Sequence, residues 1–155
     1  MTKTFDLILS GGELVNHDGR GQRDIGVIGD TIAANGDLAR ASAGERIDCR
    51  GLTILPGVID SQAHIRDEGG SAQVLGGVTA MFEMPNTNPL TTGEAELADK
   101  VSRAKNRMHC DFAFWVGGTH ENVADIPHLE RLPGAAGIKV FMGSSTGSLL
   151  VEDDA

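Results

Sequence analysis

The chain has 155 residues, 40% of them hydrophobic and 23% charged, and a formal net charge of −9. That length suits one ordinary domain or pieces of two, and the composition is that of a soluble globular protein. The acidic balance, with no basic run and no long apolar stretch, excludes a nucleic-acid-binding surface, a membrane span and a polybasic anchor. The longest aliphatic run near the start, Leu7 to Leu9, is too short for a signal-peptide core. Cys49 and Cys110 are few and far apart, which predicts free thiols in a cytoplasmic setting.

Residues 5–50 read as short strands broken by turns. FDLILSGG, GELVN, RDIGVIGDTIAANG and ERIDCRG place aliphatic residues between glycine and Asn/Asp punctuation. His17-Asp18-Gly19 and Gly29-Asp30 predict hairpin turns. No helical period appears there, so residues 1–50 are expected to form a small β-sandwich-like segment.

After Gly51 strands alternate with helices. Strands are predicted at 52–59, 78–84, 111–117 and 137–142. Leu97, Val101, Ala104 and Met108 form one apolar stripe, which predicts a helix over 92–108. Thr91 or Thr92 is the expected cap, with Glu94 and Glu96 favouring the positive helix end. A shorter helix at 121–132 has to restart at Pro127. Aliphatic strands alternating with helices predict an α/β fold, with a parallel sheet buried on both faces. The link from Arg66 to Gly77 is short and glycine-rich for a parallel crossover, with a helical window only at Ser71 to Leu75.

The chemistry gathers where the strands end. The run from Gly51 to Arg66 closes on Asp60, Gln62, His64 and Arg66, alternate positions that share one face of a strand. His64 is a candidate metal ligand or a hydrogen-bonded structural histidine, and Gln62 offers a neutral amide oxygen beside it. Lys139, inside an apolar strand, must find a partner, reach solvent or lose its charge. A desolvated lysine can take up CO₂ and become a carbamate that bridges two metal ions. Arg66 and Asn86 can together hold a carboxylate, though Asn86 sits in a turn-forming Asn/Pro segment. Gly143 to Gly147 can cradle an anion or serve as a plain loop. His17, His109, His120 and His128 lack partners at metal-binding spacing and are read as structural. No Cys–His pairing suggested by spacing points to nucleophilic catalysis.

With these residues in place, the chain resembles the N-terminal part of a dihydroorotase, in the cyclic amidohydrolase branch of the amidohydrolase superfamily. The resemblance rests on LPGVID, Gly76-Gly77-Val78-Thr79, MPNTNP at 84–89 and GIKVFMGSSTG at 137–147. It implies about the first four strands of a (β/α)₈ TIM barrel over 51–155, preceded by the β-sandwich segment at 1–50. It also implies two Zn²⁺ ions and the interconversion of dihydroorotate and N-carbamoyl-aspartate in pyrimidine biosynthesis. On that mapping His64 is a metal ligand, Lys139 the carboxylated bridging lysine, and Arg66 and Asn86 hold the substrate carboxylate. The general base lies on later strands, so no catalytic residue is assigned within this chain.

The family pattern places a histidine where Gln62 stands, and its loop after Arg66 is longer. A complete barrel takes about 250 residues. A chain ending after four strands is therefore expected to be inactive alone and prone to associate. Two alternatives follow. One is a non-catalytic dihydroorotase-like partner of aspartate transcarbamoylase, or a homo-oligomer. The other is a hydrolase of the hydantoinase, dihydropyrimidinase or allantoinase type.

Overall fold

The computed structural model describes residues 4–65, 75–143 and 149–152. The chain divides into two compact units, Met1–Pro56 and Gly57–Ala155.

The first unit holds seven strands: β1 (Thr4–Ser10), β2 (Glu13–Asn16), β3 (Gly19–Gln22), β4 (Asp24–Ile28), β5 (Thr31–Gly36), β6 (Ser42–Asp48) and β7 (Thr53–Ile54). They form two sheets, ordered β5-β4-β1-β6 and β3-β2-β7. Both predicted hairpin turns occur, and Gly19 and Gly29 adopt the positive φ values that such turns favour, 119° and 59°. Phe5, Ile8, Leu14, Ile25 and Cys49 are buried. The Phe5 ring lies against Gly26, where a Cβ would come within 2.5 Å of the ring.

The apolar run predicted as one strand over 52–59 is two. β7 pairs in parallel with β2 of the first unit, while β8 (Val58–Ala63) opens the second. Pro56 lies between them, and its missing N–H breaks a continuous ladder.

The second unit continues with β9 (Val78–Glu83), α1 (Glu94–Ala104), β10 (Asp111–Gly117) and β11 (Ala135–Lys139). Before β11 a 3₁₀ turn, Val123–Asp125, runs into the single helical turn α2 (Ile126–Leu129), with Pro127 in its first turn. The restart expected at that proline is therefore present. The four strands form one sheet, β11-β10-β9-β8, and every neighbouring pair is parallel. Consecutive strands are thus neighbours, and all four end at the same edge.

The apolar stripe of α1 covers one face of this sheet. Leu97, Phe114, Val116 and Leu129 form its buried cluster, joined by Val101, Ala104 and Ile138. The expected cap is not made: Gly93 is the N-cap and no side chain caps it. Residues 66–74, which hold most of the β8–β9 crossover, lie outside the described residues. Burial on both faces does not hold at β8, the sheet's edge strand, where Val58 and Ile59 are 52% and 60% exposed. Among the described residues, no helix is long and apolar enough to cross a membrane.

Two polar features lock this unit. Glu83 on β9 and Lys100 on α1 are both buried, and Lys100 Nζ donates to Glu83 Oε2 at 2.7 Å. The ammonium also sits 5.6 Å from the Phe114 ring centroid. Burial pushes the Lys100 pKa below the ordinary lysine value, and the Glu83 carboxylate opposes that shift. The second feature is Asn122. Its Nδ2 donates to Thr92 O at 2.7 Å and Gly117 O at 2.8 Å, and its Oδ1 accepts from Thr119 N at 2.8 Å. One buried amide thereby ties the segment after β10 to the start of α1.

Lys100→Met leaves the Glu83 carboxylate buried without its cation and should cost about 3–5 kcal/mol in denaturant unfolding. The double variant Glu83→Gln/Lys100→Met should recover most of that loss; equal loss in both would show that the pair's charge is not the cause. Asn122→Ala should cost about 1–3 kcal/mol, because buried acceptors lose their donor. Its amide exchange should rise at residues 84–92 and 117–119, and unchanged exchange there would contradict the clamp.

Candidate active site

In a parallel α/β sheet, the loops at the C-terminal strand ends are where side chains from different strands converge. Gln62 and His64 lie at the β8 end, Asn86 follows β9, and Lys139 closes β11. All four therefore sit at or just past one edge of the same sheet. Arg66 and residues 144–147 of the glycine-flanked loop lie outside the described residues.

The tip of β8 does not present one polar row. The register pairs Asp60 with Met81 and Ala63 with Glu83, and it shifts between them. Two residues, Ser61 and Gln62, lie between positions that face β9 residues only two apart, so the alternation expected from Asp60 through Gln62 to His64 is interrupted. Asp60 is half-buried, and its Oδ1 accepts from the Gln62 backbone N–H at 3.0 Å. Ala63 is buried, while Gln62 and His64 on either side are exposed.

His64 and Asn86 share a cleft of about 520 Å³ beside α1, whose walls include Glu83, Lys100, Arg103 and Arg107. Lys100 is paired with Glu83, and Arg103 with Asp99 at 2.8 Å. Lys139 is not part of that wall. Its register partner is Gly117, two residues beyond Trp115, so it lies on the sheet face opposite Phe114 and α1. It is half-buried, with Nζ 5.2 Å from the Phe141 ring centroid. That contact suits an ammonium. A carbamate anion would meet the electron-rich ring face unfavourably.

The Asn86 loop is well fixed. Thr91 is fully buried, its N–H donates to Pro85 O at 3.0 Å, and its carbonyl accepts from Gly117 N at 2.8 Å. Thr87 Oγ1 donates to Pro89 O at 2.7 Å. The MPNTNP segment is thus a turn braced by its own threonines and by β10. His128 meets Glu94 at 3.0 Å and His17 meets Asn16 at 3.1 Å, local contacts in keeping with structural roles.

Among the described residues, no three His, Cys, Asp or Glu side chains converge as a metal site. His64 brings an imidazole, but Gln62 brings only a neutral oxygen, and Lys139 lies against an aromatic ring. Among the described residues, this donor set does not by itself make a two-zinc centre. Asn122 and Trp115 were missed in the sequence, and Thr91 was read only as a helix cap. Their partners are largely main-chain atoms on other elements, which no local spacing announces.

No protein-family model matches the chain. Its relatives include an allantoinase of Rubrobacter xylanophilus, 38% identical over 155 residues, which spans 93% of this chain and 34% of that protein. Another is the L-hydantoinase of Paenarthrobacter aurescens, 34% identical over 90% of this chain and 33% of its own length. Among solved structures, an L-hydantoinase (dihydropyrimidinase) from Arthrobacter aurescens superposes with a TM-score of 0.83 at 31% identity. That match covers 95% of this chain and 35% of the hydantoinase chain. A D-hydantoinase from Thermus sp. gives 0.75 at 23% identity, which supports the fold alone. The chain thus spans about one third of the length of the curated relatives it matches. These relatives back the hydantoinase and allantoinase alternative over the dihydroorotase reading. In sequence and in fold, the chain is related to an N-terminal part of cyclic amidohydrolases of the allantoinase and hydantoinase type.

Proposed function

We propose that this chain supplies the C-terminal tips of the first strands of a hydrolase that opens a cyclic amide or ureide ring, of the hydantoinase or allantoinase type. The observation that carries the reading is the L-hydantoinase superposition, at a TM-score of 0.83 and 31% identity over 95% of the chain. We read the second unit as the first strands of a (β/α)₈ barrel. The sequential parallel order β8-β9-β10-β11 supports this, because same-handed crossovers that each step one strand onward build such a barrel.

The reaction adds water across the ring C–N bond. The water oxygen joins the carbonyl carbon, the C–N bond breaks, and the nitrogen leaves with a proton. A planar ring of alternating carbonyls and N–H groups needs matched donors and acceptors at fixed positions. Asn86 supplies both from one amide, in a loop already rigid before any ligand arrives. His64, one strand over in the same cleft, presents an imidazole that can hydrogen-bond a ring carbonyl or N–H. In complete metal-dependent hydrolases a bound metal polarises the carbonyl. The described residues assemble no such centre, and the roles given to Asn86 and His64 do not depend on one.

The protein purified from its source cells, at whatever length it has there, should open allantoin or a 5-substituted hydantoin about tenfold faster than dihydroorotate or more. Faster opening of dihydroorotate, or no ring opening of any of them, would overturn the reading. Gln62→His should tighten zinc binding to the chain by about tenfold or more in calorimetric titration, since it adds an imidazole two residues from His64. An unchanged affinity would mean that position 62 does not face a shared ion with position 64.

A further inference from the structure

The sheet face opposite α1 carries one unusual contact. Trp115 on β10 reaches across β9 and donates its indole Nε1–H to the carbonyl oxygen of Ser61 on β8, at 2.9 Å and 54 residues away in sequence. Ser61 lies within the stretch where the β8–β9 register shifts, between Asp60 and Ala63. A register shift takes main-chain groups out of the regular ladder, which frees a carbonyl to take a donor from elsewhere in the fold. The indole provides it.

Two further residues prepare the face for that ring. Phe82 on β9 meets Trp115 edge-on, with ring centroids 6.2 Å apart and planes at 80°. Gly137, the register partner of Trp115 on β11, has φ 137°, and a Cβ there would lie 2.9 Å from Trp115 Cζ3. A side chain at 137 would strain the backbone and press on the indole at once. Four strands therefore contribute: β11 gives room, β10 the ring, β9 an edge contact and β8 the acceptor.

We propose that Trp115 is a positioning residue for the β8 tip. Its hydrogen bond to Ser61 fixes the course of the chain through Gln62 and Ala63 to His64, so that the direction of His64 is set from β10 as well as by the β8–β9 ladder. The role of that tip in ring opening rests on the function proposed above; the positioning itself does not.

Trp115→Phe keeps a ring against Phe82 and removes the N–H. Two readouts that involve no substrate report the tip: acylation of His64 by diethyl pyrocarbonate, mapped by mass spectrometry, and amide exchange at residues 62–64. His17, His109, His120 and His128 are internal references on the same chain. The expected result is a change of at least about threefold in His64 acylation and in exchange at 62–64, a size one neutral hydrogen bond supports. The reference histidines and the circular dichroism spectrum should stay as in the unmodified chain. Gly137→Ala should shift the same two readouts in the same direction, and the double variant should add little, because both substitutions break one contact. A folded Trp115→Phe variant with His64 and residues 62–64 unchanged would overturn the proposal. Should both variants fail to fold, the unmodified chain still decides. With one tryptophan present, its indole N–H is a single resonance, and fast exchange with solvent there would equally overturn the proposal.

Discussion

Four parallel strands in sequential order, all ending at one edge, are the constraint on which the second unit depends. Parallel pairing forbids tight hairpins, so each strand must be followed by a crossover that returns the chain to the opposite edge. The segments leaving the strands are therefore collected on one side, and the polar residues His64, Asn86 and Lys139 come with them. Neither a shared helix nor a contiguous motif would gather residues 75 positions apart by so simple a rule. That separation spans three strands and three crossovers, and the sheet alone closes it.

The constraint has a cost that α1 and two polar locks offset. Strands buried on one side need an apolar cover, and Leu97, Val101 and Ala104 supply it against Phe114 and Val116. A buried ion pair, Glu83–Lys100, then fixes the helix against β9, where a purely apolar contact would leave its sliding position less defined. At the edge itself the Asn122 side-chain amide and the Thr91 backbone join the loops that follow β9 and β10, each bonding to main-chain atoms. Such bonds hold backbone rather than side chains, so the Asn86 loop is fixed without a ligand. Trp115 does the corresponding work on the opposite face, at the strand whose ladder is least regular.

Much of this was legible locally. The strand at 111–117 and the stripe Leu97–Val101–Ala104 follow from the period of apolar residues, and Asp18-Gly19 from the φ demands of a hairpin. Reading failed where a local signal met a non-local one. Leu52 to Ile59 looks like one strand because the apolar run is unbroken, yet Pro56 splits it between two sheets. Thr91 looked like a helix cap, but its backbone is engaged by Pro85 and Gly117, and Gly93 begins the helix instead. The candidate site was visible as residue types at strand ends. Its bracing was not, since Trp115 and Ser61 are linked only by folding. The dihydroorotase reading was finer than the relatives support, for a related reason. MPNTNP builds a braced turn, a structural task that any ring substrate can share, so the motif speaks to the loop and not to the ligand.

The central claim is that ring chemistry takes place at the C-terminal edge of this parallel sheet. A crystal structure of the protein isolated from its source cells, with a hydantoin bound, tests it most directly. The account predicts the ring within hydrogen-bonding distance of Asn86 and beside the β8 tip at His64. A ring bound against residues 4–56, or at the N-terminal ends of these strands, would contradict it.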